Sequence, residues 1–250
     1  MSQPMSVEPH DTIVYPESDG EPMAETDMHR DEMVAAIDML RWHFRNEARV
    51  YVAGNNFVYY EEGNPRAVVS PDVYVVRGVS KEQRRTFQIW REQGHAPCFV
   101  MELSSRGTWL EDHGNKKAIY AMLGVREYFM FDPENDCLDP ALQAFRLGDD
   151  GNYHRVEADA QGRLRAETLG LELWTDASTL QARDASSGTV IARPQVVRVE
   201  LDAAVTERDA AVTERDAAVT ERDAAVQERD RLAARLAELE RPAPVDHRDD

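Results

Sequence analysis

The order in which apolar residues switch between helical and strand spacing limits most narrowly what this chain can fold into. A helix should begin near Glu25, with Thr26 as its N-cap and Asp27 where the helix dipole favours an acid. Met33, Ile37 and Leu40 continue it at helical spacing, with Trp42 and Phe44 near its end. The period then changes. Residues 49–52 and 56–60 read as strands around the turn signal Ala53-Gly54-Asn55, and short β-branched runs follow at 68–69 and 73–76. A polar connection rich in bases, 77–96, leads to 98–103, the most apolar strand in the chain. A second helix is expected over 111–123, closed by Gly124. A strand at 125–132 stops at Pro133, a hairpin spans 142–157 around Gly148-Asp149-Asp150-Gly151, and a short strand lies near 169–173. Helix, several strands, helix, strand and hairpin predict an α/β fold, with a mixed central sheet flanked by helices.

The two ends differ from this middle. Residues 1–22 mix prolines, acids and serines and are expected to form a disordered lead; 242–250 are expected to form a disordered tail. Between the main domain, 23–195, and that tail, the motif Ala-Ala-Val-Thr-Glu-Arg-Asp begins at 203, 210 and 217 and nearly recurs at 224. A seven-residue period predicts a heptad-repeat helix over 196–241, a candidate coiled coil and homodimer contact. The seam is imperfect, because valine at one core position leaves Arg208, Arg215 and Arg222 at the other. The formal net charge of −18 lies mostly at the ends: 1–40 carry ten acids against one base, 200–250 carry fifteen against eight, and −2 remains between. So acidic a whole argues against loose attraction to nucleic acid while leaving room for a local basic patch. No segment approaches the roughly 20 apolar residues of a spanning helix, and no secretory signal opens the chain. Cys98 and Cys137 stand far apart, against a zinc cluster or disulfide framework. A cytoplasmic protein without a membrane partner is expected.

Two carboxylates call for an explanation. Asp72 opens an apolar strand and Glu102 lies inside the most apolar one. An ionised acid there is costly without a cation, a metal ion or a proton. If the two strands are neighbours, both acids meet at one end of the sheet, and oxygen ligands suit Mg²⁺ or Mn²⁺. The alternative is a structural ion pair, with Arg106 or Lys116 as partner.

Three segments run in a recognisable order. Pro71-Asp72-Val-Tyr-Val-Val comes first, and Phe99-Val-Met-Glu102-Leu-Ser104-Ser105 second. The third joins Asp112, Lys116, Tyr120, Gly124-Val125, Glu127-Tyr128-Phe129 and Asp132-Pro133. Over about residues 22–175 the chain resembles the Uma-two family of restriction-type endonucleases, a branch of the PD-(D/E)XK nuclease superfamily. The resemblance implies a restriction-endonuclease-like sheet, with Asp72 and Glu102 as catalytic metal ligands helped by the Leu103 carbonyl. Ser104 stands where the superfamily lysine would be. The resemblance moves that role to Lys116 on the following helix, with Lys117 a poorer match about 100° around it. It also offers Glu25 as an additional acid near the site. His29, on the same helix, reads more readily as a packed or surface histidine than as a ligand.

The implied function is a magnesium-dependent (or manganese-dependent) endonuclease that hydrolyses DNA phosphodiester bonds. Lys81, Arg84 and Arg85, in the basic connection with Phe87 and Trp90, are candidate DNA contacts. The alternative is a catalytically silent nuclease-like module that binds DNA or protein and assembles through its C-terminal helix.

Overall fold

The structure is a computed structural model that describes residues 13–18, 26–108, 110 and 112–239. It divides into two units, Met1–Gln195 and Val196–Asp250. In chain order the first unit holds α1 (Asp27–His43), β1 (Val50–Ala53), β2 (Val58–Tyr59), β3 (Val68–Val69), β4 (Val73–Arg77) and β5 (Phe87–Gln88). A 3-10 turn (Ile89–Glu92), β6 (Phe99–Leu103), a π-helical turn (Asp112–Lys116) and α2 (Lys117–Met122) follow. The unit ends with β7 (Glu127–Phe131), β8 (Leu142–Leu147), β9 (Tyr153–Val156), β10 (Leu164–Ala166), β11 (Leu171–Asp176) and β12 (Thr179–Asp184).

Six strands form the central sheet in the order β1-β4-β6-β7-β8-β9. Neighbours are antiparallel except β6 and β7, which are parallel. A parallel pair needs a crossover, and the helical stretch 112–122 supplies it. Alternation along the strands divides the core in two. Val73, Val75, Phe99, Met101, Leu103, Phe129 and Phe131 join a cluster with Met33, Met39 and Leu40 of α1 and with Leu171, Leu173 and Leu180 of the antiparallel sheet β10-β11-β12. Tyr74, Val76, Val100, Tyr128 and Met130 join the opposite cluster with Tyr120 of α2, Val58 and Phe87. The sheet is therefore covered on both faces, and β4, β6 and β7 read as continuous apolar runs for that reason. The predicted mixed sheet with flanking helices is present.

Several elements escape the sequence reading. β5 and the 3-10 turn interrupt the expected polar connection, and β10 and β12 complete a sheet of which only β11 was foreseen. The expected loose lead contains a described piece, 13–18, that lies on the body. Tyr15 packs edge-on to Tyr59 with ring centres 5.0 Å apart, and the Tyr59 hydroxyl donates to the Pro16 carbonyl at 2.6 Å.

A buried ion pair ties α1 to β12. Glu32 accepts from Arg193 at 2.5 and 2.9 Å and from the Leu180 N–H at 2.9 Å. Glu32→Ala leaves a buried guanidinium and an N–H without their acceptor, so a loss of about 3 kcal/mol is expected. Urea unfolding of the two proteins measures it; a shift below ~1 kcal/mol would mean the pair is dispensable.

The second unit contains most of α3 (Pro194–Leu239). Val205, Val212, Val219 and Val226 are 39–41 % exposed. Each repeat arginine pairs with the aspartate next to it, as Arg208 does with Asp209 at 2.7 Å. Thr206, Thr213 and Thr220 bond back to carbonyls four residues earlier. Among the described residues no helix is long and apolar enough to cross a membrane.

Candidate active site

The antiparallel register of β4 and β6 sets Val73 opposite Met101. One step further along the ladder, Asp72 falls opposite Glu102, and opposed residues share a face. The backbone locks the pair: the Leu103 N–H donates to Asp72 Oδ2 at 2.8 Å, and the Asp72 N–H donates to Glu102 Oε2 at 3.3 Å. Glu102 is fully buried, while the Asp72 side chain is 15 % exposed at the sheet end. Gly54 holds Asp72 in place from β1's side. A Cβ there would overlap the Asp72 carbonyl and crowd Ile37 of α1. Gly54→Ala is therefore expected to cost about 2 kcal/mol or more of stability and to displace Asp72. Thermal melts report the first effect, and an unchanged melting temperature would remove Gly54 from this role.

The helical crossover brings the cation. Lys116 Nζ stands 3.2 Å from Glu102 Oε2 and 3.1 Å from Asp112 Oδ1. Asp112 is buried, takes a 3.1 Å hydrogen bond from Ser104 Oγ, and its carbonyl accepts from Tyr128. Asp112 and Lys116 open and close the π-helical turn, a wide turn that often marks a functional position. Glu102 Oε1 accepts from the Tyr120 hydroxyl at 2.5 Å. Across the cavity, His29 Nε2 lies 3.8 Å from Asp72 Oδ2. Its backbone N–H is capped by Thr26 Oγ1 at 3.2 Å, as the sequence predicted for the start of α1.

Burial dominates the electrostatics. It pushes Asp72 up to about 6, against the opposing pull of the Lys116 ammonium and the Leu103 N–H. Burial also holds Glu102 well above the usual carboxylate range, again opposed by Lys116. Burial alone would depress Lys116, but Glu102, Asp112 and Asp72 outweigh it and raise it above an ordinary lysine. Three acids thus share one ammonium in a place that disfavours negative charge. Paired carboxylate oxygens are the donors that a hard divalent cation takes.

The family model described as "Putative restriction endonuclease" matches residues 9–181, more than half of the chain. The chain belongs to the Uma2 family. Among solved structures, this Uma2 chain is similar to one titled a putative nuclease belonging to DUF820 from Anabaena variabilis. That likeness has 12 % identity and a TM-score of 0.43, and covers 61 % of this chain and 81 % of that one. No curated protein matches it significantly.

In this Uma2 protein a cavity of about 820 Å³ opens over the acids, lined among others by His29, Asn55, Asp72, Leu103, Asp112 and Lys116. Asp72, Glu102, Leu103 and Lys116, chosen from sequence, are therefore brought together. Lys117 is turned away, with its ammonium 3.3 Å from the centre of the Phe145 ring. Glu25 lies outside the described residues. Of the three candidate DNA contacts, two are placed elsewhere, and Arg85 pairs with Glu17, which lines this cavity. Lys81 and Arg84 line a separate cleft of about 550 Å³ beside β1, where Lys81 Nζ donates to the Phe44 and Arg45 carbonyls. Arg84 is engaged by Glu92 at 2.7 Å, and Arg85 pairs with Glu17 at 2.8 Å.

Asp112 was given no role from sequence; its spacing of four from Lys116 was the available signal. A second acidic trio, Asp132, Asp136 and Cys137, could by distance hold a metal. Its lone pairs are already taken. Asp132 Oδ2 accepts the N–H groups of Asp136, Cys137 and Leu138, and Asp136 pairs with Arg106 at 2.7 Å. Burial and Asp132 together push the Cys137 thiol up to about 12. That trio is a capped turn.

Proposed function

We propose that this chain is a metal-dependent endonuclease that hydrolyses DNA phosphodiester bonds, with Asp72, Glu102 and the Leu103 carbonyl as ligands of Mg²⁺ or Mn²⁺. The observation that carries the reading is the cross-strand Asp72–Glu102 pair with the Lys116 ammonium against it. When bound there, a divalent cation polarises the scissile phosphate and makes hydroxide available near neutral pH. Lys116 orients the attacking water and steadies the charge that develops on the phosphate oxygens. Tyr120 fixes one oxygen of Glu102, and the other accepts from the Asp72 N–H and the Lys116 ammonium. Ser104, in place of a strand lysine, is the ground for the silent-module alternative. The reach of Lys116 into the acids restores the ammonium and favours the enzyme.

Incubation of supercoiled plasmid with the protein and Mg²⁺ or Mn²⁺ should give nicked or linear DNA, and EDTA should stop it. Intact plasmid at high protein with either ion would leave only the binding module. The family and the free thiols Cys98 and Cys137 support a cytoplasmic setting. The valine row of α3 supports weak self-association through 196–241, limited by arginine at the second seam position. Sedimentation of the full chain and of one ending at Pro194 tests this; equal numbers of chains per particle would exclude it.

A further inference from the structure

The N-terminal segment reaches the cavity that holds the acids. Glu17 and Ser18 line it together with Asp72 and Lys116. Tyr15 anchors them. Its hydroxyl accepts from the Gly63 N–H at 2.7 Å, and its ring packs against Tyr59 and Trp90 with centres 5.0 and 5.2 Å apart. Two residues on, Arg85 Nη1 donates to both carboxylate oxygens of Glu17, at 3.1 and 2.8 Å. The two side chains are 83 % and 52 % exposed, so solvent screens the pair and a stronger anion can displace it. A guanidinium takes a phosphate by the same geometry as a carboxylate.

We propose that residues 15–18 form an autoinhibitory strap, in which the Glu17 carboxylate occupies on Arg85 the place that a phosphate of the DNA strand takes during cleavage. The inference rests on the nuclease reading and adds its regulation. Charge gives the strap its effect. The cavity lining carries five carboxylates against the cations Arg106 and Lys116, and residues 1–22 hold five acids and no lysine or arginine. A polyanion approaching the closed strap meets that field and finds Arg85 taken. DNA therefore binds only when the strap lifts, and the fraction of molecules with the strap closed lowers the apparent affinity. All of residues 13–18 except Tyr15 are exposed, so the segment lifts without opening the core.

The test compares the full chain with its Tyr15→Ala and Glu17→Gln variants. Anisotropy of a short fluorescein-labelled DNA duplex in EDTA gives the affinity, and the KM for plasmid nicking with Mn²⁺ gives the same comparison under turnover. Each variant should improve on the wild type about 10-fold, the factor for a strap closed about nine-tenths of the time. Tyr15→Ala removes no charge, so a gain there reports release of the segment. Glu17→Gln changes an exposed side chain and keeps the test valid if Tyr15→Ala misfolds. Arg85→Ala added to Tyr15→Ala should take most of the gain away; a gain that survives whole means Glu17 does not stand in for a phosphate. Neither affinity nor KM improved in either strap variant, while the wild type nicks plasmid, overturns the strap and leaves the nuclease reading standing. Absence of both binding and cleavage in every protein overturns both.

Discussion

Asp72→Asn should abolish cleavage and, in metal-free solution at neutral pH, make the protein harder to unfold. The first effect follows from the proposed role of Asp72 as a charged ligand, and a rate loss on the order of 10³-fold or more is expected. The second follows from the sign of the pKa shift. Burial lifts Asp72 from an ordinary aspartate to about 6. The folded state therefore holds this proton more tightly than the unfolded chain does. The stability that the proton confers is present at low pH and is lost as pH rises through the window from about 4 to about 6. Above it, the ionised Asp72 destabilises the metal-free fold by roughly 3 kcal/mol, which asparagine relieves. Melting curves from pH 4 to 8 should show the two proteins converging at the acid end and the variant leading by roughly 6–12 °C at the neutral end. Millimolar Mn²⁺ should reverse the order by stabilising only the wild type. A variant that melts below the wild type at pH 7.5 without metal would mean that Asp72 is compensated in a way this geometry does not contain.

Lys116→Met should have the opposite effect on stability and a similar effect on activity. The side chain is only 19 % exposed and touches Glu102 and Asp112. Removing its charge leaves buried acids without a counter-ion, a change that costs about 3 kcal/mol. The orphaned acids would take up protons, so the deficit should shrink as pH falls. Cleavage should drop about 10²–10³-fold even with saturating metal, because charge on the phosphate is no longer steadied. Lys117→Met, which loses only its contact with Phe145, should leave the rate within a few-fold of wild type. Equal losses in both variants would remove Lys116 from its special role.

The sheet and the acidic pair were legible because both rest on strong local signals. The strand 98–103 is apolar throughout except for Glu102, and Pro71-Asp72 opens the next most apolar run. Burial on both faces wrote those runs, and the acids stood out against them. The missed elements carry weaker patterns. β10 and β12 bury only Leu164 and Ala166, and Leu180 and Ala182, a sparse apolar signal, and β5 is two residues long inside a basic segment. The strand state of β5 comes from pairing with β2, far earlier in the chain, which local periodicity does not encode. Asp112 was missed for a related reason. An acid one helical turn from a lysine looks like any solvated pair, and only the packing of the crossover against β6 buries it.

An ammonium carried on a crossover obeys a different geometry from one carried on a strand. A lysine at position 104 would be bound to the pleat and would always share a side of the sheet with Glu102. Lys116 arrives instead along an arc of backbone that leaves the sheet and returns, so the length and pitch of that arc decide whether positive charge reaches the acids. A single residue gained or lost within it would withdraw the charge while every strand kept its register. Scaffold and reactivity are thereby separable in this architecture, and arming or disarming it takes one adjustment outside the sheet.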